Sequence, residues 1–190
     1  ESPRTHLFWC DHEPTNIQVA RIAIERHHGL FPDISRNRLR SDQRAPKNQI
    51  VIGYLSADFR DHPTSHLMIG AWRNHNRDKF RIIFFDVGWD DGSQTRLDLE
   101  AFCDELISLR DLADDKAAKL IEQKSVDVLI ELNGPTQSNR LGILKYRPAP
   151  FLVGYLGWPG SYGGNVVEYV IGDDYLWPSA EDNLRERDVM

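Results

Sequence analysis

From residue 49 onward, short apolar runs alternate with segments whose apolar residues recur every three to four positions. The runs are rich in β-branched and aromatic residues, which is typical of strands buried on both faces. We predict strands at residues 50–55, 80–87, 105–109, 126–132, 150–156 and 167–171. The periodic segments predict helices at residues 63–75, 95–102, 113–124 and, from a weaker pattern, 139–146. Strands that alternate with helices over short connections indicate an α/β fold with a parallel sheet.

The first quarter of the chain has a different pattern. Residues 14–28 predict a helix, which Gly29 is suited to end. Residues 33–48 are polar and rich in arginine, and we interpret them as a linker or an extended excursion. We therefore divide the chain into a helical lead-in and linker at residues 1–48 and an α/β unit at residues 49–190.

The two ends of the sequence bear on its completeness. The length of 190 residues suits one domain or one and a half. The sequence begins with Glu1, unlike a signal peptide or a native start, and it stops abruptly at Met190. We therefore expect the chain to be part of a longer protein.

Composition narrows the classes of function. The chain has 23 Lys and Arg against 29 Asp and Glu, a net charge of −6, so we expect no electrostatically driven binding to nucleic acid. No apolar run approaches the roughly 20 residues that a membrane span requires, so we expect no membrane partner. Cys10 and Cys103 are too few for a disulfide framework and favour free thiols in a reducing compartment. We therefore expect a cytoplasmic protein.

The loop after the first strand holds the strongest candidate chemistry. Ligands of parallel α/β sheets bind beyond the carboxyl ends of the strands. Pro63 suits the first helical position, so His62 becomes the N-cap and the amides of Thr64 and Ser65 face outward. Such a helix start attracts phosphate or another anion. His62 then suits proton transfer or a hydrogen bond to an oxyanion. The alternative is a capping histidine with a structural role.

Two further loops follow the fourth and fifth strands. Asn133 and Thr136 could hydrogen-bond a ligand hydroxyl or phosphate, and the alternative is ordinary turn chemistry. Residues 157–164 contain four glycines, which let the backbone approach a ligand closely. The spacing matches neither a dinucleotide-binding fingerprint nor a P-loop, and no nucleophile elbow is present.

Metal chemistry is the third alternative. His62 and His66 share a helix face at a spacing that can bind zinc, and a nearby Asp would complete a metal hydrolase site. The residues between them contain no Glu, so the metalloprotease motif is absent. We expect no metal and no cofactor.

Four ordered motifs resemble a known family. The stretch IVIGYLSADFRDHPTSHLM resembles the start of the catalytic region of protein O-GlcNAc transferases, the family 41 glycosyltransferases that include SPINDLY-like proteins. Residues 132–136, 146–150 and 156–160 resemble that family's LNGxT, RPAP and LGxPG segments. The resemblance covers residues 49–180, and His-Pro-Thr-Ser-His is closer to the O-GlcNAc branch than to the SPINDLY branch. Pro135 and Trp158 depart from the residues common in the family.

The resemblance implies a fold and an activity. It implies one Rossmann-like half of a GT-B architecture, which transfers GlcNAc from the donor substrate UDP-GlcNAc to Ser or Thr of acceptor proteins without metal. His62 matches the family's active-site histidine, and Thr136, Leu156 and Gly157 match positions that line the sugar–diphosphate pocket. With Thr64, Ser65 and Asn133 they form the predicted donor site.

The resemblance also implies missing parts. The family carries tetratricopeptide repeats upstream, and the helix at residues 14–28 resembles the segment between those repeats and the catalytic core. Its C-terminal catalytic half holds the lysine that pairs with the diphosphate and most contacts to uridine. We expect this chain alone to be inactive without that partner. The alternative is a non-catalytic α/β module that binds a nucleotide or a protein.

Overall fold

A computed structural model describes residues 12–32 and 48–173 and the backbone of residues 187–189. Its centre is a parallel sheet with seven strands in the order β3-β2-β1-β4-β5-β6-β7. The strands are β1 (Ile50–Ser56), β2 (Phe80–Asp86), β3 (Glu105–Ser108), β4 (Val128–Glu131), β5 (Phe151–Tyr155), β6 (Tyr169–Ile171) and β7 (Arg187–Val189). The helices are α1 (Glu13–His28), α2 (Pro63–Arg73), α3 (Gln94–Glu100) and α4 (Asp114–Gln123), with a 3₁₀ helix at Leu141–Tyr146.

The predicted α/β fold with a parallel sheet is confirmed, and most predicted elements agree with the structure to within two residues. The segment predicted as a helix at 139–146 is a 3₁₀ helix, which Arg147 ends with a left-handed φ of 50°. Strand β7 was not predicted. Cys10 and all but the last residue of the predicted linker at 33–48 lie outside the described residues.

Both faces of the sheet are buried, as the continuous apolar runs predict. Ile83 and Phe85 of β2 pack in one core cluster with α4 and Ile24 of α1. The alternate residues Ile82 and Phe84 pack in a second cluster with residues of α2 and α3. This arrangement gives the loops at the carboxyl edge a rigid support. None of the helices in the described ranges is long and apolar enough to cross a membrane.

The strand order changes direction at β1. The chain continues from β1 to β2 and β3 on one side, then crosses to β4, β5 and β6 on the other. In open α/β sheets the loops diverge at such a switch point and leave a crevice outside the carboxyl ends of the strands. The loops that follow β1 and β4 therefore border the place where a ligand is expected.

Candidate active site

A cleft of about 830 Å³ lies at the carboxyl edge of the sheet, where the switch point predicts it. The loops after β1, β2, β4 and β5 and the start of α2 contribute its walls. Its lining residues are Asp58, Arg60, His62, Pro63, Thr64, Trp89, Leu132, Asn133, Thr136, Gln137, Ser138, Gly157, Trp158 and Pro159. Five of the seven predicted site residues are thus brought together, whereas Ser65 and Leu156 do not line this cleft.

His62 occupies the predicted N-cap of α2. Its backbone is extended, and its Nδ1 accepts a hydrogen bond from the Thr64 N–H over 3.2 Å. Because Nδ1 is an acceptor, the proton of the neutral ring lies on Nε2. The His62 side chain is 32% exposed, and within the described part of the chain Nε2 has no hydrogen-bond partner. The capping role is therefore real, and it leaves Nε2–H as a donor for a ligand.

The two residues that follow Pro63 differ from the sequence expectation. Thr64 lines the cleft, but its amide is not free for a ligand, because it donates to His62 Nδ1. Ser65 is fully buried, and its Oγ donates to the carbonyl oxygen of Asp58. Ser65 therefore stabilises the loop after β1 through this hydrogen bond to Asp58. A ligand contact by Thr64 or Ser65 stays a prediction.

Asn133 joins the two loops that border the switch point. Its Oδ1 accepts from the Ala57 N–H over 2.8 Å, and its Nδ2 donates to Asp58 Oδ2 over 2.7 Å. The same Asp58 oxygen lies 3.6 Å from Nδ1 of His62. Asn133 thus joins two loops, a structural role that differs from both sequence interpretations, a ligand contact and ordinary turn chemistry. Its predicted contact with a ligand stays a prediction.

Glu131 holds the floor of the cleft and was missed by the sequence analysis. Its Oε1 accepts from the Asn133 N–H, and its Oε2 accepts from the Gly134 N–H and the Tyr162 hydroxyl, all within 2.7–2.8 Å. Burial raises the pKa of the Glu131 carboxyl, and these three hydrogen bonds only partly oppose that rise. A glutamate at the end of an otherwise apolar strand is the signal that could have identified it.

The raised pKa of Glu131 predicts a pH-dependent stability. A raised folded-state pKa contributes stability that is fully present below the unfolded pKa, near 4.5, and is lost as pH rises through the folded value. The gap in unfolding free energy between wild type and Glu131→Gln should therefore narrow as pH rises. Urea unfolding between about pH 4 and pH 8 measures it.

A second variant tests one of the hydrogen bonds that oppose the rise in the Glu131 pKa. Tyr162→Phe removes one hydrogen bond that opposes the rise in the Glu131 pKa, so the loss of stability should move to higher pH. A gap that stays constant or widens with pH would contradict a raised pKa at Glu131.

The loops after β4 and β5 meet closely at Gly157. A Cβ added to Gly157 would lie 1.8 Å from the carbonyl oxygen of Leu132, so only glycine fits there. Thr136 lines the cleft, and its Oγ1 donates to the Asn133 carbonyl over 2.9 Å. Leu156 has a left-handed φ of 65° and packs in the second core cluster. The predicted donor contacts of these residues stay predictions.

Arg60 and Trp89 also line the cleft, and the sequence analysis did not single them out. Arg60 Nη2 donates to Asp58 Oδ1 over 3.0 Å, and Arg60 Cζ lies 4.1 Å from the centre of the Trp89 ring. Trp89 follows β2, 29 positions beyond Arg60 in the sequence. Their contact depends on the adjacent pairing of β1 and β2, which no local pattern reveals.

His66, the second histidine of the alternative zinc site, does not line the cleft. His66 is half exposed, and its Nε2 is 2.7 Å from Asp61 Oδ1. In residues 12–32 and 48–173, no group of three or more His, Cys, Asp or Glu side chains could hold a metal ion.

Comparisons with known proteins agree with the motifs. Residues 19–184 match the sequence family described as Glycosyl transferase family 41. The UDP-N-acetylglucosamine--peptide N-acetylglucosaminyltransferase of Caenorhabditis elegans is 36% identical over 171 residues, which are 84% of this chain and 15% of that protein. The probable UDP-N-acetylglucosamine--peptide N-acetylglucosaminyltransferase SEC of Arabidopsis thaliana is 33% identical over 130 residues, 68% of this chain and 13% of that protein.

A solved structure shows the same fold. A mutant of the Thermobaculum terrenum O-GlcNAc transferase superposes with a TM-score of 0.80 and 23% identity, over 93% of this chain and 34% of that one. The predicted Rossmann-like α/β fold is thereby confirmed. The chain spans about one seventh of the length of the curated relatives described above. On the sequence match, this chain belongs to glycosyl transferase family 41.

Proposed function

We propose that this chain forms half of the catalytic cleft of a protein O-linked N-acetylglucosaminyltransferase. The observation that carries the proposal is His62, which caps α2 inside a cleft at the switch point of a family 41 chain. The C. elegans and Arabidopsis relatives, whose names state this activity, support the choice of donor and acceptor. The proposed donor is UDP-GlcNAc, and the proposed acceptors are Ser and Thr hydroxyls of proteins.

We propose that the transfer is direct and inverting. The acceptor oxygen forms a bond to the anomeric carbon and its proton is lost to solvent, while the bond from that carbon to the phosphate oxygen breaks and UDP leaves with the electron pair. His62 offers Nε2–H, so in the observed arrangement it is suited to stabilise a developing negative charge on oxygen. In this proposal the positive end of α2 lies near the donor phosphates.

A transfer assay on the complete gene product tests the proposal. The protein is incubated with Ser/Thr peptides and either UDP-GlcNAc or GDP-fucose, and the products are identified by mass spectrometry. We expect peptides that carry one N-acetylhexosamine. Transfer of fucose instead would show that the donor is GDP-fucose and contradict the proposed donor. Binding without transfer would favour the non-catalytic module.

The isolated 190-residue chain provides a separate prediction. We propose that most contacts to the donor come from a second catalytic half, so calorimetric titration of this chain alone with UDP and UDP-GlcNAc should show weak or no binding. Micromolar binding would mean that the donor site does not require the second half.

The cellular compartment of the protein is also a proposal. Cys103 is a free thiol within the described residues, which suits a reducing compartment such as the cytoplasm.

A further inference from the structure

Arg60 is the one permanently charged cation among the described residues that line the cleft. The other ionisable side chains on this wall are those of Asp58 and His62. A nucleoside diphosphate sugar carries two negative charges on its diphosphate, so a ligand of that class would meet a single fixed positive charge on this half of the cleft.

Most hydrogen-bond donors of the Arg60 guanidinium are not used within the described part of the chain. It carries five N–H donors, and one of its terminal nitrogens, Nη2, donates to Asp58 Oδ1. Its Nε is buried and has no hydrogen-bond partner within the described part of the chain. The other terminal nitrogen, Nη1, also has no hydrogen-bond partner in that part of the chain and is not buried, so its N–H groups are the donors that a ligand in the cleft would meet.

Arg60 is held in place from two sides. Asp58, whose other oxygen is bound by Asn133, fixes one edge of the guanidinium. The ring of Trp89 lies under its plane at 4.1 Å, which is the geometry of a cation–π contact. Because the side chain is already ordered, little rotamer entropy remains to be lost when it binds an anion.

We propose that Arg60 contacts the diphosphate of the sugar nucleotide, with Asp58 and Trp89 as its positioning residues. The start of α2 follows three residues later and has no acidic residue in its first turn, so its positive end favours the same negative charge. The assignment rests on the proposed function for the identity of the donor. It gives this half of the cleft an anion contact of its own.

The test compares UDP with uridine, because only UDP carries the diphosphate. Both are titrated into the complete gene product as wild type, Arg60→Gln and Arg60→Lys. The glutamine variant should bind UDP about ten- to a hundredfold more weakly and uridine unchanged, which is the range for a hydrogen bond between charged groups. Lysine should restore part of the UDP affinity, because it keeps the charge but loses the planar fork.

Arg73→Gln is the matched control. It removes the same charge from an exposed position in the last turn of α2, so its affinity for UDP should equal that of wild type. The lysine variant keeps a charge beside Asp58 and supplies the comparison if the glutamine variant does not fold.

The outcomes separate the two proposals. Unchanged affinity for UDP in folded Arg60→Gln overturns the role of Arg60 alone. A raised KM for acidic acceptor peptides with unchanged UDP affinity also overturns it, because Arg60 would then contact the acceptor. Wild-type protein that binds neither UDP nor UDP-GlcNAc overturns the proposed function together with this inference.

Discussion

Replacing His62 with alanine in the complete gene product should lower the rate of sugar transfer by about a hundredfold or more, the usual scale for a lost proton-donating group. In the structure Nδ1 is used by the cap of α2, so in the proposed transfer Nε2–H is the donor left for the reacting oxygen. The rate is measured at saturating donor with a Ser/Thr peptide, and circular dichroism checks that the sheet remains folded.

An asparagine variant separates catalysis from helix capping. Asparagine is among the best N-cap residues, so His62→Asn should keep the stability that His62→Ala loses, about 1 kcal/mol. If His62 acts on the substrate, the asparagine variant is nearly as slow as the alanine variant. Transfer at the wild-type rate in His62→Asn would reduce His62 to a structural cap.

Replacing Gly157 with alanine should damage both stability and donor binding. The added Cβ would lie 1.8 Å from the backbone oxygen of Leu132. Both atoms are fixed by the backbone, so no side-chain rotation can relieve the clash. The loops after β4 and β5 must move apart, which we expect to cost about 2–3 kcal/mol of unfolding free energy. Denaturant unfolding measures that loss, and titration with UDP measures the effect on the cleft.

Gly70→Ala is the control for that experiment. Gly70 lies within α2, and a Cβ added there meets no atom within 4 Å. Alanine should therefore leave stability unchanged or raise it by up to about 1 kcal/mol, because it favours a helix more than glycine does. A Gly157→Ala variant as stable as Gly70→Ala would contradict the close approach of the two loops.

The fold could be predicted largely because its signals are local. The run Phe80–Asp86 of β2 places alternate apolar residues in two different core clusters, so an uninterrupted apolar run is what such a strand requires. The segment at 139–146 has a weaker local pattern, and its ends are fixed by distant contacts: Arg140 binds Asp114 and two carbonyl oxygens of the loop between β3 and α4. A single sequence does not show those contacts, so the 3₁₀ geometry could not be predicted.

The site could be predicted only in part. His62 and Thr136 were identified because a helix start and a motif are visible in the sequence. The bonds from Asn133 to Ala57 and Asp58 join residues about 75 positions apart, and the partner of Glu131, Tyr162, is 31 positions away. Such pairings follow from which strands become neighbours, and a single sequence does not contain that information in any local pattern.

The bonds that Asn133 and Glu131 make have a consequence for how the cleft can move. Loops at the edge of a sheet usually open locally at little cost. Here opening the loops would break the buried hydrogen bonds from Asn133 to Ala57 and Asp58 and from Glu131 to Tyr162, so we expect the loops to open together with the sheet. Adjustment to a ligand is therefore left to exposed side chains at the rim, such as those of Gln137 and Ser138.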